Sequence, residues 1–171
     1  MNNVWIPVLI VAVLAALIAF VKSGAKRTKH YDEMQLKIRA DGYRLGYLVT
    51  VLAVFAVIFL SEFGVLDGFV SPTFAVEAAL MLGITVFAVY CILHDAFFSV
   101  GDRGGVYIGL CVLIVLTNGA MAVSRFLDGS ILENGIVTFG SGGSTVMTLT
   151  FLAVLTALFV KKAQLKREAE E

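Results

Sequence analysis

The chain has 171 residues, of which 59 % are apolar and 15 % charged, and its 13 basic residues balance its 13 acidic ones. Soluble domains run to roughly 45–50 % apolar and about 25 % charged residues, so this composition excludes a disordered chain and argues against a soluble domain. Two cysteines and two prolines exclude a disulfide scaffold and Pro-rich linkers, and the net charge of zero argues against a nucleic-acid partner.

A bilayer core about 30 Å thick needs roughly 20 mostly apolar residues in a helix. The first such stretch covers residues 4–21 and carries no charge. No basic residue precedes it, and Lys22, Lys26, Arg27 and Lys29 follow it, so it reads as an uncleaved span rather than a signal peptide. Residues 22–44 form a basic loop. Within it, Asp32 fits an N-cap with Gln35 as the N3 partner of a capping box, and Tyr31 with Leu36 fits a hydrophobic staple. No proline intervenes before the next apolar run, so one long helix is predicted from near Asp32 into the second span.

The string Tyr31-Asp32-Glu33-Met34-Gln35, with Arg39, Gly42 and Tyr43 ahead of a span, resembles an element of small bacterial membrane proteins, notably from Firmicutes. Those proteins carry a YDERQ…RG pattern directly before a transmembrane helix. Here Met34 replaces the arginine, and Ala40-Asp41-Gly42 replaces the Arg-Gly pair. The resemblance covers about residues 31–47 and implies a bacterial plasma-membrane protein, with no activity to carry over. Tyr31, Asp32, Glu33, Gln35 and Arg39 are therefore either a capped helix start or a motif for a partner at the cytoplasmic face.

The remaining spans are expected at residues 45–63, 70–93, 106–123 and 144–160. Ser71 and Pro72 suit the N-cap and first position of the third. Lys and Arg concentrate on the cytoplasmic side of membrane proteins. Alternating sides places twelve basic residues on one face and Arg125 alone on the other. The fold class is therefore an all-α integral membrane protein, a single domain of five transmembrane helices with its N-terminus outside and C-terminus inside.

Gly42 and Gly46 open the second span, and Gly105 and Gly109 open the fourth. Small residues four apart let helix backbones approach closely in lipid, so Gly46 is expected against Gly105 or Gly109. Ala75, Ala79 and Gly83 repeat the spacing more weakly. Ionisable or polar groups inside spans are functional candidates. Glu77 near the outer end of the third span is expected to pair with Arg125, and Asn118 to hydrogen-bond between helices. Residues 125–143 read as a Gly- and Ser-rich outer connection, with residues 140–144 a weak anion-binding nest or a Ser-capped loop. Cys91 and Cys111 differ in depth and read as small buried residues, not a disulfide. With His30 and His94 scattered and no catalytic or metal motif present, neither cofactor nor metal is expected. The leading expectation is a non-enzymatic accessory protein acting through its cytoplasmic loop and tail, with the lipid bilayer, a protein partner or a second copy as partners. The alternative is a small transporter or channel component with Glu77 and Asn118 lining a path.

Overall fold

A computed structural model describes residues 31–99 and 105–168. The expected first span and Arg103 lie outside the described residues. Four helices form the described part: α1 (Glu33–Glu62), α2 (Pro72–Leu93), α3 (Gly105–Leu127) and α4 (Phe139–Glu168). All four are long and apolar enough to cross a membrane. At 1.5 Å per residue, α1 and α4 reach about 45 Å and overshoot a bilayer core, so both carry polar turns beyond it.

Local chemistry sets the helix starts. Asp32 caps α1 and closes the expected capping box with Gln35, and the helix runs without a break into the apolar stretch. Ser71 caps α2, with Pro72 at its first position, where the missing N–H costs nothing. α4 begins at Phe139, ahead of the expected start at 144. The Gly- and Ser-rich run is its first turns and neither a nest nor a loop. Thr138 Oγ1 accepts the Ser141 N–H at 3.2 Å, and Ser141 Oγ accepts the Thr138 N–H at 2.9 Å, a reciprocal cap. Glycine in a helix costs about 1 kcal/mol against alanine. That cost is offset by fit: a Cβ on Gly142 would strike the Phe74 ring and Val137, and one on Gly143 would lie 3.3 Å from Glu77 Oε1.

α1 packs on α2, α2 on α4, and α4 on α3, so the spatial order is α1, α2, α4, α3. In chain order the helices alternate in direction, so the neighbours α2 and α4 run parallel. At one end the connections before α2 and before α4 meet: the Val137 N–H donates to the Phe69 carbonyl at 2.9 Å, and the Ser71 N–H donates to the Val137 carbonyl at 2.8 Å. At the other end the start of α1, the residues after α2 and the end of α4 come together. Lys37, Arg39, Lys161, Lys162, Lys166 and Arg167 belong to this second, basic end, and Arg125 to the first.

The core is small and lies toward the basic end. Ala88 and Ile92 of α2, Cys111 of α3, and Val154, Leu155 and Ala157 of α4 form it. Elsewhere the apolar faces stay open: Leu52, Phe55 and Phe59 on α1, and Leu110, Leu113 and Leu116 on α3 are all exposed. Helices with wide unburied apolar faces need an apolar solvent.

Candidate functional site

The site is built where the chain leaves α2. His94 ends that helix, and Asp95 follows in the left-handed region at φ 59°. The Ala96 N–H donates to the Cys91 carbonyl at 2.8 Å, and the Asp95 N–H to the Ile92 carbonyl at 3.3 Å. This is a Schellman stop with aspartate in the place usually taken by glycine. Ala96 is fully buried behind it. The stop satisfies the Cys91 and Ile92 carbonyls and turns four later ones, Asp95 to Phe98, toward the start of α1.

Two side chains one helical turn apart on α1 receive those four carbonyls. Gln35 Nε2 donates to Asp95 O at 2.7 Å and to Phe98 O at 3.3 Å. Arg39 Nη1 donates to Ala96 O at 3.1 Å and to Phe97 O at 3.4 Å. Gln35 is held by its own Oε1, which accepts the Asp32 N–H at 3.4 Å. The Arg39 guanidinium lies over the Tyr31 ring, 4.6 Å from its centroid, and Nη2 reaches the Tyr43 hydroxyl at 3.5 Å. Tyr43 in turn stacks on Phe87 of α2, with ring centroids 4.2 Å apart. Tyr31, Asp32, Gln35 and Arg39 thus form an intramolecular clamp on the segment after α2. Glu33 stands outside it, exposed, and gives only its backbone N–H to Asp32 Oδ1 at 2.7 Å.

α4 closes the same region. Lys161 Nζ lies 2.5 Å from Asp95 Oδ2. Between this pair, the segment after α2 and the first turns of α3 is a cleft of about 370 Å³. Its rim carries Gln35, Asp95, Lys161 and Lys162, and its walls include Phe98, Ile108 and Leu158.

The glycines divide. Gly42 and Gly46 are buried, but against α2 and not against α3. A Cβ on Gly42 would lie 3.0 Å from Cys91 Sγ, and one on Gly46 would lie 2.8 Å from the Gly83 carbonyl. Gly105 and Gly109 have open space where a Cβ would stand, and α1 and α3 do not meet among the described residues. The expected contact of Gly46 with Gly105 or Gly109 is therefore corrected: α2 and α4 lie between the two helices, and the partner of Gly46 is Gly83.

The polar groups at the far end also depart from expectation. Arg125 donates to the Gly140 carbonyl, at the start of α4, and no ion pair joins it to Glu77. Glu77 lies beside Gly143, its Oε2 buried without a hydrogen bond, as is Ser144 Oγ. Asn118 turns its amide to the Ile114 carbonyl of its own helix at 3.0 Å and makes no bond between helices. Cys91 and Cys111 are both free and buried, as their sequence context indicates. His94 stacks on Tyr90, with its Nδ1 2.9 Å from the Tyr90 carbonyl, and Asp95 is paired with Lys161. No cluster of metal-ligating residues occurs among the described residues.

Sequence reasoning missed the receiver of the clamp, because backbone carbonyls occur at every position. It singled out Gly83 with Ala75 and Ala79 but missed that Gly83 is the α2 half of the α1–α2 contact, and it missed Thr50, which meets Gly83 from α1 beside Gly46. Comparison with protein-family models, with curated proteins and with solved structures gives no match.

Proposed function

We propose that the chain is a multi-pass protein of a bacterial plasma membrane, crossing it five times with the N-terminus outside and the C-terminus inside. In this reading the basic end is the cytoplasmic face, in keeping with the twelve-to-one division of Lys and Arg, and the role is a non-enzymatic accessory one exercised there. One observation carries the role. The clamp holds the first turns of α1 through Gln35 and Arg39, while Met34 and Leu36, flanking Gln35 on either side, stay 70 % and 54 % exposed. Exposed apolar side chains on a fixed, capped helix start are available to a protein partner at that face. Photo-crosslinking in cells from Met34 and from Leu36, with lipid-facing Tyr47 as the reference, tests it. A discrete protein adduct from the first two and not from Tyr47 is the expected result. Adducts to lipid alone at all three positions overturn the role.

The transporter or channel reading rests on a different observation: Glu77 Oε2 and Ser144 Oγ are both buried without partners near the start of α4. A buried carboxylate oxygen without a partner inside a span is a candidate contact for an ion or water. Asn118 offers it no support, since its amide is spent on its own helix. Ion flux into liposomes that falls with Glu77→Gln supports the path. Flux that is absent, or indifferent to that change, removes it.

A further inference from the structure

We propose that the cleft at the basic end binds one acidic phospholipid, its phosphate on Lys161 and Lys162 and an acyl chain along Ile108 and Leu158. The apolar run of α4 ends at Val160, so the two lysines stand where hydrocarbon gives way to headgroups. Below them the walls carry Leu158 one turn back on α4 and Ile108 one turn into α3, and Leu165 lines the cleft one turn beyond them. Cation above and hydrocarbon below is the profile of a phospholipid and not of free phosphate, which would leave those walls empty. Asp95 neutralises Lys161 at 2.5 Å, whereas Lys162 has no hydrogen bond or ion pair among the described residues. Among the described residues the rim therefore carries one positive charge in excess. That excess favours an anionic headgroup over a zwitterionic one, whose own ammonium it would repel. Basic pockets between helices at a membrane surface select headgroups by this charge balance.

The proposal needs the helices to lie in a bilayer, but neither the topology nor the protein partner of the preceding section, so the crosslinking result leaves it intact. Two substitutions move the charge in opposite directions. Lys162→Gln removes the excess. Asp95→Asn raises it by freeing Lys161, and asparagine tolerates the positive φ at that position. The full chain is exchanged from detergent into micelles holding phosphatidylglycerol or phosphatidylcholine, and retained lipid is counted by native mass spectrometry. One phosphatidylglycerol is expected per chain, in preference to phosphatidylcholine. Its retention should fall about fivefold with Lys162→Gln and rise by a similar factor with Asp95→Asn, the effect of one lysine near a membrane surface. Inorganic phosphate added as competitor should not displace it. Equal retention of the two lipids, displacement by phosphate, or the same response to both substitutions overturns the proposal.

Discussion

Gly83→Ala tests the closest approach of two helices at a glycine among the described residues. The added Cβ would collide with Thr50 Oγ1, lie 2.8 Å from the Gly46 carbonyl oxygen and 3.0 Å from Thr50 Cβ. None of these atoms is the free end of a flexible chain. Thr50 Oγ1 is tied to the Gly46 carbonyl at 2.8 Å, and the other two belong to the backbone or sit next to it. Relief requires α1 and α2 to separate until 2.8 Å opens to an ordinary contact of about 3.4 Å, along a whole turn of each helix. Overpacking of this kind costs about 1–3 kcal/mol. Alanine returns at most about 1 kcal/mol through helix propensity. With the full return, the net expectation is a loss of about 0–2 kcal/mol against the wild type and about 1–3 kcal/mol against a glycine-to-alanine control without the clash. The assay is reversible unfolding of the full chain in micelles by titrated SDS. Gly109→Ala is the matched control, since nothing lies within 4 Å of a Cβ there, and it should be neutral or slightly stabilising. Thr50→Ala removes the colliding oxygen and should recover part of the loss when combined with Gly83→Ala, the coupling expected of residues in contact. The reasoning fails if Gly83→Ala is no less stable than Gly109→Ala, or if the pair shows no coupling.

Arg39→Gln removes the charged donor to Ala96 O and Phe97 O and the stack on Tyr31. Hydrogen bonds to charged groups are worth about 1.5–3 kcal/mol, so amide exchange in residues 95–99 should quicken by about tenfold or more. Arg39→Lys should recover little of it, because one ammonium lacks the planar fork that meets two carbonyls and a ring; unchanged exchange in either variant refutes the clamp. Asp32→Ala removes the N-cap of α1 at a cost of about 1 kcal/mol. Faster exchange should be confined to the first turn of α1, and a change spreading through α2 to α4 would contradict a local capping role.

What the sequence reveals and what it hides follow the range of the interactions. Caps are local: Asp32 with Gln35, and Ser71 with Pro72, involve residues at most three apart, and each was legible. The basic bias of one end is equally legible, because it belongs to whole connections and does not depend on any one contact. The start of α4 was hidden because glycine and serine mark loops on propensity alone. Only the fit of Gly142 against Phe74, some 68 positions earlier, shows why they are helical here.

Helix neighbours are a harder case. Gly42 and Gly46 announce a close approach, and one exists, but four-residue glycine spacing says nothing of the partner. Gly105 and Gly109 carry the same spacing and face open space. The partner is decided by Gly83, the last of the weaker small-residue run with Ala75 and Ala79, and by the clamp that brings Gln35 and Arg39 of α1 onto the end of α2. The clamp holds the basic end of the pair together by directional bonds to backbone, and the glycines let the apolar halves close behind it. In lipid, where apolar surface does not by itself drive one helix onto another, such a polar lock with small residues beneath it, together with the short connection from Glu62 to Pro72, favours α2 over α3 as the neighbour of α1.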